Sequence, residues 1–261
     1  IPGAAGAGQP PPPVPTLPSA FHRRSRHRNS AHFLEYAPMG ELTLIQKIAV
    51  LVLPVLFAIT IHEVAHGWMA KQLGDPTAFM LGRLTVNPIK HIDPLGTLLV
   101  PLATLMLGGV LFGWAKPVPI TQRNLRRPRR DMAIVALAGP GANLVMAMLW
   151  GLVIYLGLSL MESTAWVGLP LAYMGAAGVL INSVLLVLNL LPLPPLDGGR
   201  VLENLLPPRM SAHYSQLEPY GLILLLALLL TGVLGKILFP MLVLVWQLVP
   251  NGMLAASLFL H

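Results

Sequence analysis

The chain contains no cysteine in 261 residues. That absence excludes disulfide scaffolds, thiolate metal sites and cysteine nucleophiles, and leaves any transition metal to His, Asp and Glu. Charge is scarce too: 10% of the residues are Asp, Glu, Lys or Arg, and 55% are hydrophobic. A mean hydropathy of +0.70 is too apolar for an ordinary soluble domain and points to a polytopic membrane protein. Acids are rarer than bases, giving a net charge of +7. The bases cluster between apolar runs, where they orient spans against anionic lipid, so the expected surroundings are a lipid bilayer and not nucleic acid.

Three parts are expected: residues 1–38, 39–219 and 220–261. The first is rich in Pro, Gly, Ala and Arg, cannot build a packed core, and reads as a disordered tail. Met39 opens MGELTLIQK directly before the first long apolar run, so we expect the native chain to start there, although an Arg-rich targeting leader has the same composition. Mass spectrometry of the native N-terminus checks this. Apolar spans follow from Leu42 to the Gly74-Asp75-Pro76 stop, over 132–158, and over 169–191. Pro94 to Gly109 is shorter than the ~20 residues a crossing needs, and Pro101 and paired glycines interrupt it. Tyr220 to Val249, with Gly232 and Gly235 inside it, reads as one tilted span or two half-spans.

Polar side chains are costly at bilayer depth, so a cluster of them inside an apolar helix is a candidate site. ITIHEVAHGW holds His62, Glu63 and His66 as H-E-x-x-H. Residues four apart share a helix face, so two imidazoles can bind one zinc while the glutamate reaches a water on it. Zinc lowers the pKa of bound water from about 15.7 toward about 7, and Glu63 would take its proton and pass it to the leaving amine. Read structurally instead, the histidines would bond neighbouring helices and Glu63 would pair with Lys71 or an arginine. A catalytic zinc needs a third protein ligand and an open position. Candidates are His91, Asp75, Asp93, Asp131, Asp197, Glu162, Glu203 and Glu218. Asp197 is the best placed, because NLLPLPPLDGGR directly follows a span. Its prolines break the helix, and Gly198 and Gly199 let the chain turn closely.

HEVAH and NLLPLPPLDGG together resemble the site-2 protease family of intramembrane zinc metalloproteases, in its compact bacterial branch without a PDZ domain. The second signature, N-x-x-P-x-P-x-x-D-G, falls on Asn189, Pro192, Pro194, Asp197 and Gly198. The resemblance implies that His62, His66 and Asp197 ligate one zinc ion per chain and that Glu63 is the general base. It further implies that Asn189 binds or polarises the scissile carbonyl, in a transmembrane protein substrate. AGPGAN also matches, through Gly139, Pro140 and Asn143. These three can equally serve helix packing, with Asn143 bonding a neighbouring backbone, so Asn143 is a secondary site. From another class, the same ligands would serve a metal-binding membrane transporter or sensor, which needs no general base.

If zinc joins span one to the end of 169–191, those two spans run parallel, and Pro94 to Gly109 must re-enter on its own side. The expected fold is therefore an all-α polytopic membrane bundle of about four to six transmembrane helices with a re-entrant segment. Leu84 to Asn87 and Gly113 to Ile120 are expected to form a small β-hairpin or sheet near the active site, with an edge for an unwound substrate. The arginines between 123 and 130, with Arg200 and Arg209, place the active site toward the cytoplasmic side of a bacterial plasma membrane. His91 and Asp93 read as rim residues, and Trp68, Trp114 and Trp166 as interfacial anchors.

Overall fold

A computed structural model describes residues 43–91, 93, 96, 116–161 and 163–260. The N-terminal tail, Met39, Trp114, Glu162 and all of Pro94 to Gly109 except Gly96 lie outside the described residues.

Helix α1, Leu44–Gln72, begins at a capping box: Gln46 N donates to Thr43 Oγ1, and Thr43 N donates to Gln46 Oε1 at 2.9 Å. It ends where Gly74 takes a φ of 114°, ahead of Asp75-Pro76 and the short helix α2, Thr77–Met80. Helices α3, Pro128–Met161, and α4, Ala165–Asn189, complete the set of three that, among the described residues, are long and apolar enough to cross a membrane. α4 is the central one, with 61% of its apolar stretch buried against 22% for α1 and 33% for α3.

Glycines let α3 and α4 approach as antiparallel neighbours. A Cβ at Gly157 would lie 2.5 Å from Ala172 N, and one at Gly175 would lie 2.7 Å from Ile154 N. Without a hydrophobic drive between helices in lipid, such close backbone contact is a main source of association. α1 is also antiparallel to α3, since His66 meets Val135 and His62 meets Asn143. α1 and α4 are therefore parallel, as the metal hypothesis requires.

After α4 the chain breaks at Leu190 and restarts as α5, Asp197–Leu205, followed by α6, Pro208–Ser215. Helices α7, Glu218–Leu230, and α8, Val233–Leu248, then meet at 84°. The C-terminal apolar segment is thus two helices, and Gly232 supplies the bend with a φ of 73°. α9, Gly252–Leu260, packs on α4, and Asn251 Nδ2 ties its start to Gly151 O at 3.0 Å. Counting the bent pair as one span gives up to four, so the described residues supply three or four spans and not the broader range of four to six. Trp68 and Trp166 are exposed near helix ends.

The expected β-hairpin is not found: among the described residues there is no strand. Residues 84–85 and 116–120 have no regular structure, and several of their backbone polar atoms are bonded to groups other than each other. Arg83 donates to Lys116 O at 3.0 Å, His91 Nε2 bonds Thr85 O at 2.9 Å, and Lys116 N donates to His91 O at 2.9 Å. Pro117 and Pro119 have no N–H, which leaves one edge of KPVPI without those donors and disfavours a ladder there.

Candidate metal centre

The C-terminal half of α1 turns both histidines toward α3, where each ring is held through Nδ1. His66 Nδ1 donates to Val135 O at 2.7 Å, a carbonyl that can only accept, so Nε2 keeps its lone pair. His62 Nδ1 lies 2.5 Å from Asn143 Oδ1. The two Nε2 atoms are 3.0 Å apart, and Asp197 Oδ2 lies 3.2 Å from His62 Nε2 and 3.3 Å from His66 Nε2. All three residues are buried, and their ligand atoms fall within 4.8 Å of one another. Asp197 Oδ2 has no hydrogen bond among the described residues. Two imidazole lone pairs and a carboxylate oxygen facing one another are what a divalent cation satisfies. The donor set therefore fits zinc.

Space at this point depends on Gly139. A Cβ there would come within 2.6 Å of His62 Cε1 and closer still to His66 Nε2. The LPLPPLDGG turn places Asp197 at the start of α5 by doubling back tightly. A Cβ at Gly198 would meet Leu191 O at 2.5 Å, and one at Gly199 would meet Pro194 N at 2.5 Å. α7 and α8 brace this turn through a cluster of Leu191 with Leu225 of α7 and Leu234 of α8.

Glu63 Oε2 accepts a hydrogen bond from Val118 N at 2.8 Å. It does not pair with Lys71, whose ammonium sits 3.4 Å above the Phe79 ring. The segment carrying Val118 is fixed farther along by Asp75, which is wholly buried. Asp75 accepts from Thr121 N at 2.6 Å, Asn124 Nδ2 at 2.9 Å, Thr77 N at 3.1 Å and the Thr77 hydroxyl. Burial opposes the charged form of Asp75, but these donors outweigh it and hold its pKa below the ordinary carboxylate value.

Of the residues singled out in the sequence, His62, His66 and Asp197 are brought together, and Asn143 touches one of them. Asn143 also meets the packing expectation, since its Nδ2 donates to Ala58 O at 3.3 Å. Asn189 turns back into its own helix, donating to Leu185 O at 3.0 Å. Four of the other ligand candidates have local work: Asp75 as above, His91 Nε2 bonding Thr85 O at 2.9 Å, Asp131 accepting from Arg127 N at 2.7 Å, and Asp93 accepting from Gly96 N at 2.8 Å. Sequence reasoning missed Asn182, which is wholly buried and bonded to Asn143 at 2.9 Å. Its signal was a second polar residue in the apolar run, two helical turns before Asn189.

Comparison with known proteins agrees with this geometry. The sequence model for Peptidase family M50 matches residues 158–231, which include Asn182, Asn189 and Asp197. "Putative zinc metalloprotease YwhC" of Bacillus subtilis (strain 168) is 41% identical over 193 residues, covering 74% of this chain and 85% of that protein. "Putative zinc metalloprotease Rip2" of Mycolicibacterium smegmatis is 32% identical over 191 residues, covering 71% of this chain and 68% of that protein. Rip2 of Mycobacterium tuberculosis (strain H37Rv) is 32% identical over 181 residues, covering 69% and 66%. No solved structure matches the chain.

Proposed function

The chain belongs to peptidase family M50, and from that premise we propose that it is a zinc-dependent intramembrane endopeptidase, hydrolysing a peptide bond within a transmembrane segment of another protein. The observation that carries this reading is the convergence of His62 and His66, on an apolar helix, and Asp197, at the start of α5, on one point, with Glu63 next to His62 in the same helix. When bound, the zinc supplies Lewis-acid polarisation and makes a water acidic enough to lose a proton near neutral pH.

The chain's own residues divide the remaining work. His62, His66 and Asp197 hold the metal. Glu63 uses one lone pair for the Val118 amide, which leaves carboxylate capacity to receive the water proton and deliver it to the amine nitrogen of the leaving group. Asn189, at the C-terminal end of α4, would release Leu185 O and turn its Nδ2 to the scissile carbonyl. Gly139 keeps α3 from crowding the two imidazoles that hold the metal. The basic run from Arg123 to Arg130 leads into α3 at the end that meets His66, and Arg126 N bonds Leu73 O at 3.0 Å. That end takes the cytoplasmic side by the positive-inside rule, so the site opens toward the cytoplasm from within a plasma membrane.

The test is elemental analysis of the detergent-purified chain together with cleavage of a transmembrane peptide library. The expected result is about one zinc per chain, lost in Asp197→Ala, with cleavage that needs the metal. Zinc bound normally with no hydrolysis of any transmembrane peptide, and with transport unaffected by Glu63→Gln, would favour a transporter or sensor instead.

A further inference from the structure

We infer that Asn182 is a positioning residue for the metal centre: acting through Asn143, it fixes which nitrogen of His62 faces the metal. The inference rests on the metal-site reading above. His66 needs no such device, because a backbone carbonyl takes its Nδ1 proton directly. On the side of His62, α3 offers the amide of Asn143, which can present either an acceptor oxygen or a donor NH2. A donor there would move the imidazole proton to Nε2 and remove one lone pair from the metal position.

The direction is set from the far end of a chain of bonds. Gly178 O and Ala58 O are carbonyls and can only accept. Asn182 must therefore turn its NH2 to Gly178 O, at 2.8 Å, which leaves its Oδ1 facing Asn143. Asn143 must then present its own NH2 to Asn182 Oδ1, at 2.9 Å, and to Ala58 O, at 3.3 Å. Only its Oδ1 remains for His62 Nδ1, at 2.5 Å. A flipped Asn143 amide would set its oxygen against two acceptors. Both asparagines are 0% exposed, so no water relieves that arrangement. Without Asn182, the longer contact to Ala58 O is the remaining restraint on the amide. Partners of this kind that orient metal-binding histidines are typically worth about 10–100-fold in affinity.

Three variants test the relay, with cobalt(II) as the probe, its affinity read by competition with a chelator and its ligand-field spectrum recorded. Asn182→Leu removes every polar partner. Asn182→Ser keeps a bond back to Gly178 O, as Ser183 already does to Val179 O at 2.7 Å, but cannot reach Asn143, so it tests the link in a chain that folds. Asn182→Asp, protonated at this depth, restores both the donor to Gly178 and the acceptor for Asn143. The expected result is cobalt affinity about ten-fold lower in the Leu and Ser variants, with an altered spectrum and a metal-free chain that still unfolds cooperatively, and near wild-type values in Asn182→Asp. Wild-type affinity and spectrum in Asn182→Ser, or an equal loss in Asn182→Asp, would overturn the inference alone. A folded wild-type chain that binds no cobalt would overturn the metal site as well.

Discussion

Glu63 and Val118 are joined across 55 residues of sequence by a 2.8 Å hydrogen bond from backbone amide to carboxylate. The proposed base therefore takes its orientation from a segment outside the helix that carries it and both histidines. Base and ligands are separable by mutation as a result.

Glu63→Gln tests that separation directly. Its amide oxygen can still accept from Val118, so the local structure and the three ligands should be kept, while the basic oxygen is lost. Metal content should stay at the wild-type value and peptide cleavage should fall by about 10²–10⁴-fold. Loss of zinc together with activity would make Glu63 a ligand or a structural support and not the base.

Gly139→Ala makes the opposite prediction. The added methyl would crowd both imidazoles, coming within 2.6 Å of His62 Cε1. Neither ring can retreat without giving up its partner on α3. Zinc should be lost or strongly weakened in a chain that still folds, as read by elemental analysis and by the elution profile in detergent. Full zinc occupancy would show that the rings have more room than these contacts allow.

Asp75 should contribute pH-dependent stability. Its folded-state pKa lies below the ordinary value of 3.8, so the contribution is complete above that value and is lost as the pH falls through the folded value. Asp75→Asn sets an NH2 among donors and should cost about 1–3 kcal/mol at neutral pH. The melting-temperature gap between wild type and Asp75→Asn should therefore narrow on acidification below about pH 4. A gap that is constant from pH 7 to pH 3 would contradict an ionised Asp75.

The ligands were legible because their chemistry is written locally. His62 and His66 sit four apart on one helix, and the prolines before Asp197 announce the break that frees its carboxylate. The role of Asn182 depends on the register between α3 and α4, which glycine contacts set and no local pattern reveals. The C-terminal bend was half visible: Gly232 and Gly235 both mark it, but Gly232 alone leaves the helix, while Gly235 stays inside α8. The hairpin was misread against a signal already present. Pro117 and Pro119 remove two of the five donors in KPVPI, and that evidence against a strand should have outweighed its extended composition.

The same prolines yield the most specific prediction. Flanked on both sides by residues without an N–H, the Val118 amide is the donor that holds Glu63. Val118→Pro removes that donor while continuing a run of prolines already compatible with extended backbone. Asp75 and Arg83 still anchor the segment from either side, so its path should persist. Glu63 would then lose its restraint without losing its charge. Turnover should fall by about 10–100-fold, as expected when a reacting group is misplaced by about 1 Å, with zinc content unchanged and substrate affinity little affected. Restoring the donor through Val118→Ala should return wild-type turnover, because the bond comes from the backbone and not from the side chain. Turnover unaffected in Val118→Pro would mean that α1 alone orients the base.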